Sequence, residues 1–267
     1  MTASGLAGRL PEVLAEQIQY RELLRQMVRR DLLLRYKQTV MGFGWAIFMP
    51  LINTAVFSVV FTRLAPIDVG MPYPLYAFCG LLAWNFFAAA LRFSVTSLTG
   101  NPSLVTKVYF PREIFPFSAV FVSLVDFMVA STVLVGLMIY YGVGVSAALV
   151  ALPAVIAVHI AFTAAMALLL SVGNLFFRDV KYLFEVLIIV WMFVSSALYP
   201  VTAVGGWLAG ALALNPMTHI IDAYRDVLLL QRAPSLAFAI TAAASFLLLA
   251  GIWVLFHRAE SDFAENL

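Results

Sequence analysis

The sequence predicts an all-α, polytopic membrane protein with six transmembrane helices. Three observations predict it. Of 267 residues, 63% are hydrophobic and 11% charged, whereas a soluble domain is about half apolar and about a quarter charged. Apolar runs near the ~20-residue spanning length recur along the chain. Basic residues gather on alternate connections between those runs. A soluble core of this size cannot hide so much apolar surface. A net charge of +2 gives no electrostatic case for a nucleic-acid partner. The single cysteine, Cys79, excludes an intrachain disulfide and a cysteine metal cluster.

The first element, residues 10–37, is an amphipathic helix. Within it, EVLAEQIQYRELLRQMVRRDLLLR (12–35) sets Leu14, Ile18, Met27 and Val28 near one face. Arg21, Arg25 and Arg29 form a basic row at i, i+4 and i+8. Such a helix lies in the membrane interface with its arginines toward anionic headgroups; the alternative is a topogenic flank. Residues 1–37 hold seven Lys/Arg and no short apolar signal region, so the internal spans are expected to drive insertion.

The six-span bundle occupies 40–256, with spans near 40–62, 74–98, 115–140, 148–176, 182–200 and 235–256. The first ends near Arg63, before a Pro- and Gly-rich loop at 64–73. The fourth is long enough to tilt or emerge from the bilayer. With the N-terminus inside, the inner segments hold twelve Lys/Arg and the outer ones only Arg63, Arg225 and Arg232. Both termini are therefore placed in the cytoplasm.

The connection NPSLVTKVYFPREIFP (101–116) is richer than a passive loop requires. Asn101 suits an N-cap and Pro102 the first helical position, while Pro111 stops the helix. Leu104, Val105, Val108 and Tyr109 fall on one face, giving a short, stiff amphipathic helix over 101–114 that either docks on a partner or packs on its own spans. A second inner turn runs through Arg178-Asp179-Val180-Lys181. On the outer side, the apolar stretch at 204–214 is too short to cross and predicts a re-entrant or packed segment within 201–231. Asn215-Pro216 opens a following helix to about 231, with Ile220, Ile221, Tyr224 and Leu228 on one side and Asp222, Arg225 and Asp226 polar.

Several stretches together resemble the membrane subunit of type-2 ABC exporters of the polysaccharide, O-antigen, capsule and teichoic-acid group. They are RDLLLRYKQTVMGFGWAIFMPL (30–51), NPSLVTKVYFPREIFP (101–116), FFRDVKYL (176–183), LYP (198–200), and NPM with the helix after it (215–231). Their order and spacing cover nearly the whole chain, so the resemblance treats 1–267 as one permease domain. It implies a homodimer with two copies of a separate cytoplasmic ABC ATPase, in the bacterial inner membrane. It implies that 101–114 is a coupling helix. On this carry-over Val105, Thr106, Lys107, Tyr109, Phe110, Pro111, Arg112 and Glu113 form the principal ATPase contact, and Arg178, Asp179 and Lys181 the second. It also implies a lipid-linked polysaccharide substrate. No cofactor is expected on this chain, and ATP and Mg belong to the partner. In agreement, the sequence contains no GxxxxGK[ST], so it has no P-loop of its own.

The resemblance places the export path along the first and fifth spans. Trp45, Phe48, Phe57 and Phe61 lie on the first, and Trp191, Phe193 and Tyr199 on the fifth. Aromatic faces suit the C–H faces of sugars, although such residues also populate lipid-facing surfaces and interfaces. Asp126 lies inside the third span, where a carboxylate costs about 3 kcal/mol on insertion scales. It is expected to pair with a polar neighbour or carry a proton. His159 pairs with Asp126 or stands alone, and Glu185 is expected to pair with Lys181. No HExxH, CxxC or GxSxG occurs, so the chain is not expected to be an enzyme. The rival readings are an exporter of small hydrophobic compounds and a lone membrane enzyme of lipid-linked sugar synthesis.

Overall fold

A computed structural model describes residues 19–37, 39–102, 104, 110–203, 205–260 and 263. Every regular element among them is helical. Helix α1 (Arg21–Tyr36) buries Met27 and leaves Arg21, Arg25 and Arg29 exposed, whereas Leu14 and Ile18 of the expected apolar face lie outside the described residues. Helix α2 (Gly44–Val59) runs on through a π-helical turn at Val60–Leu64. Helix α3 (Tyr73–Val95) opens with Pro72 and Pro74 flanking its first residue. Prolines are tolerated there because the first-turn N–H groups have no intrahelical acceptor.

Helix α4 (Ile114–Tyr140) stops by a Schellman motif. Gly142 takes φ +70°, its N–H reaches the Ile139 carbonyl at 3.1 Å, and the Val143 N–H reaches Met138 at 2.9 Å. A 3₁₀ turn, Ala147–Ala151, leads into α5 (Leu152–Phe176). Four further helices follow: α6 (Val180–Phe193), α7 (Gly206–Leu214), α8 (Pro216–Leu228) and α9 (Leu236–Ala259).

Helix α3 is the centre of the bundle, packing on α2, α4, α5, α6 and α8. Of its most apolar 18-residue window, 83% is buried, against 11% for Gly44–Leu64. The α2 side of the molecule is therefore the least covered. Helix α9 packs on α5, and α1 lies along α4.

Among the described residues, five helices are long and apolar enough to cross a membrane, not the six read from the sequence. The missing one is the run at 182–200. Its helix, α6, ends at Phe193 after 14 residues, about 21 Å at 1.5 Å per residue and short of the ~30 Å hydrocarbon core. Residues 194–200 continue as turns and bends, with Ser195 to Leu198 buried. A hydropathy reading runs through this break, because Val194, Ala197 and Leu198 keep the stretch apolar on average despite Ser195 and Ser196. The freed carbonyls are instead met by side chains from α3 and α8. Tyr73 Oη donates to Leu198 O at 2.9 Å, Asn215 Nδ2 to Val194 O at 2.6 Å, and Arg225 to both Ser196 O and Ala197 O. Non-helical backbone at membrane depth survives only with such internal partners.

Candidate functional site

A groove that carries several polar side chains among apolar ones crosses the α2 side of the bundle. One cavity, about 480 Å³, lies between α1, α2, α3 and α4, lined among others by Arg35, Trp45, Asn53, Asn85 and Asp126. A second, about 270 Å³, lies between α2, α3 and α6 and is lined among others by Asn53, Phe57, Asn85, Arg92 and Met192. The two share Asn53, Asn85, Ala88 and Arg92 and so run together across α3. Asn53 and Arg92 are exposed and Asn85 is half-buried. Polar groups at this depth are expensive against lipid, so they face protein or a water-filled path. The signal for them was present in the sequence as asparagines within apolar spans, and sequence reasoning passed over it.

The groove is closed at one end by an ion pair. Arg35 of α1 pairs with Asp126 of α4, and Tyr36 Oη donates to Asp126 Oδ1 at 2.6 Å. The Arg35 guanidinium lies 3.9 Å from the centroid of the Phe93 ring, a cation–π arrangement. Burial, with the hydrogen bond and charge of Asp126 next, pushes the Tyr36 hydroxyl up to about 12 against the pull of Arg35. The hydroxyl therefore remains a donor at any physiological pH. Ser118 Oγ donates to Asp31 Oδ2 at 2.9 Å and gives α1 a second tie to α4.

Asp126 thus finds polar neighbours, as one of the two expectations had it, but His159 is not among them. His159 is fully buried, with Nδ1 3.3 Å from Tyr224 Oη and the Phe86 ring edge-on. Glu185 pairs with Arg92 across the groove at 3.2 Å rather than with Lys181. The Lys181 ammonium sits instead 4.7 Å from the Tyr182 ring centroid. For Glu185, a partner on another helix displaced the one suggested by position along the chain.

The broken end of α6 is gripped from α8. Arg225 is 3% exposed, not a surface polar residue. Nη1 donates to Ser196 O at 2.6 Å and Nη2 to Ala197 O at 2.9 Å, while the guanidinium stacks 3.6 Å over Tyr76. Asp222 lies 3.2 Å from Nη1. Gly80 makes room for this: a Cβ there would collide with both Ala197 O and Arg225 Nη2. Asn215 caps α8 by accepting from Met217 N at 3.0 Å and also accepts from Trp191 Nε1 at 3.1 Å. The N-cap was legible from Asn-Pro; its contact with Trp191 was not.

The aromatic candidates separate by environment. Trp45 lines the larger cavity and Phe57 the smaller. Phe48 and Phe193 are exposed, and Phe61 packs on Tyr73 with centroids 5.6 Å apart. Trp191 turns inward onto Trp84, Phe87 and Phe162. The Tyr199 hydroxyl donates to the Phe193 carbonyl.

Of the connection at 101–116, Val105, Thr106, Lys107 and Tyr109 lie outside the described residues. Phe110 is buried, in one apolar cluster with Leu98, Phe115 and Phe256. Pro111 is buried beside it, Arg112 pairs with Glu260 at 3.3 Å, and Glu113 is fully buried. Arg178 and Asp179 are exposed on the turn between α5 and α6.

Comparison with known proteins agrees with this architecture. The profile of the family described as ABC-2 type transporter matches residues 22–229. A protein named O-antigen export system permease protein RfbA, from Myxococcus xanthus, is 29% identical over 255 residues, covering 94% of this chain and 98% of its own length. A protein of the same name from Klebsiella pneumoniae is 26% identical over 207 residues, covering 77% of this chain and 80% of its own.

Proposed function

The chain belongs to the ABC-2 type transporter family, and from that premise we propose that it is the membrane subunit of an exporter of lipid-linked O-antigen polysaccharide. It is a transporter subunit and not an enzyme. The relatives named as O-antigen export permeases support the substrate class. The observation from the fold that carries the reading is the groove of Asn53, Asn85 and Arg92 on the least covered side of the bundle. A lone chain would present these groups to lipid. A second copy facing them across the α2 and α6 side encloses a polar path, with Trp45 and Phe57 offering stacking faces to sugar rings.

The remaining parts fit a homodimer of one permease domain, residues 1–267, served by two copies of a separate ABC ATPase that holds ATP and Mg. Both termini lie in the cytoplasm of a bacterial cell, in the inner membrane. The connection 101–114 is the main ATPase contact, seconded by the exposed Arg178 and Asp179. Helix α1 lies in the interface with Arg21, Arg25 and Arg29 toward headgroups, and the α7–α8 hairpin re-enters from the outside.

Two variants in a deletion strain test this. Asn53→Leu with Asn85→Leu makes the groove apolar. It should abolish surface O-antigen on immunoblots and leave polymer inside the cell, while a tagged chain still recovers the ATPase from membranes. Lys107→Glu with Arg178→Glu should lose the ATPase in the same pull-down. Normal surface polymer from the groove variant, or no ATPase with the unaltered chain, would overturn the reading.

A further inference from the structure

Glu113, His257 and Glu260 converge at the end of the bundle where the 101–113 connection enters α4. A ligand atom from each lies within 4.8 Å of the others. His257 stands on the last turn of α9 and Glu260 is the residue that ends it, at i and i+3, a spacing that puts both on one face. Glu113 arrives from the residue before α4.

The state of each side chain is informative. Glu113 is fully buried. Its Oε1 accepts from Trp253 Nε1 at 3.1 Å, and its Oε2 has no hydrogen-bond partner among the described residues. An unpaired buried carboxylate oxygen is costly. His257 Nδ1 is buried and likewise without a hydrogen bond, although it lies 3.3 Å from Glu260 Oε2. Glu260 is held from its other side: the Arg112 N–H and guanidinium approach Oε1, each at 3.3 Å. Two carboxylates and one imidazole therefore meet here, with the Arg112 guanidinium on the far side of Glu260.

We propose that Glu113, His257 and Glu260 form a structural site for a divalent first-row transition metal, with zinc as the best fit. One imidazole and two carboxylates are ligands that zinc accepts in four-coordinate sites. Trp253 and Arg112 then act as outer partners, each tying one oxygen of a ligating carboxylate so that the other is free for the ion. The bound ion fastens the end of α9 to the start of α4, next to Phe110 and Pro111. It gives the segment a rigid footing without contributing to the groove.

The test uses the full chain purified with a tag free of histidine, stripped with chelator and exchanged into nanodiscs. After equilibration with Zn²⁺ and dialysis, elemental analysis should return one zinc per chain. Co²⁺ in its place should give visible ligand-field absorption. His257→Gln, at a partly exposed position, should lower retained zinc at least tenfold and abolish the cobalt bands, and Glu113→Gln should do the same. The ion should raise the melting temperature of the unaltered chain and leave that of His257→Gln unchanged. Zinc retained equally by His257→Gln, or no zinc on the unaltered chain, overturns the proposal.

Discussion

Arg225 shows how much one side chain carries in this fold. Its guanidinium meets two carbonyls that the end of α6 leaves open and stacks on Tyr76. Arg225→Met leaves those carbonyls buried and unpaired, and we expect a loss of about 3 kcal/mol in detergent, read by thermal unfolding. Arg225→Lys should recover only part of it, since an ammonium cannot fork to two acceptors and stack as a plane. Gly80→Ala should also destabilise, by about 1–3 kcal/mol, because a methyl group there strikes Ala197 and Arg225. Tyr36 offers a pH dependence. Its hydroxyl is raised from 10.0 to about 12 in the fold, so its tie to Asp126 contributes fully below pH 10 and is lost as pH rises toward the raised value. A spin label at exposed position 33 should report α1 loosening across that interval, and Tyr36→Phe should abolish the transition. None of these roles is visible in the sequence, where Arg225 looks like an outer-loop charge and Tyr36 like the end of an amphipathic helix.

At the scale of elements, most boundaries were legible because capping and hydropathy act locally. The expected spans at 74–98, 115–140 and 235–256 correspond to helices Tyr73–Val95, Ile114–Tyr140 and Leu236–Ala259. Pro72, Gly142 and Ser235 mark three of their six ends through ordinary start and stop chemistry. The run at 182–200 failed for the complementary reason. Its helix stops because α8 supplies Asn215 and Arg225, from residues that are remote in sequence. Asn215→Ala removes the cap of α8, the acceptor for Trp191 and the donor to Val194 at once. We expect it to cost about 2 kcal/mol and to disorder α6 and α8 together, seen as raised amide exchange at the end of α6 as well as in α8. Exchange confined to α8 would show that the two elements are not joined through this residue.

For the whole molecule, the uneven covering of the bundle is the main consequence of the packing. Val56 is 55% exposed on α2 and Leu247 74% exposed on α9, so both would contact lipid in an isolated chain. The proposed dimer separates them. Val56→Cys should form a disulfide-linked dimer in membranes under mild oxidation, whereas Leu247→Cys should not; the native Cys79 is buried and should stay silent. Equal cross-linking at both positions would place the contact elsewhere.

The sequence by itself determined that this is an all-helical membrane chain, where most helices begin and end, and which family it resembles. Those properties depend on composition, on period and on caps within a few residues of one another. Only the tertiary structure decided that one apolar run is a broken helix, that Asp126 answers to Arg35 and Tyr36, and that Asn53, Asn85 and Arg92 share a groove. It also brought Glu113 to His257 and Glu260. Each of these joins residues from different helices, and which helix faces meet is set by packing and the pairing of buried polar groups, which no local pattern encodes.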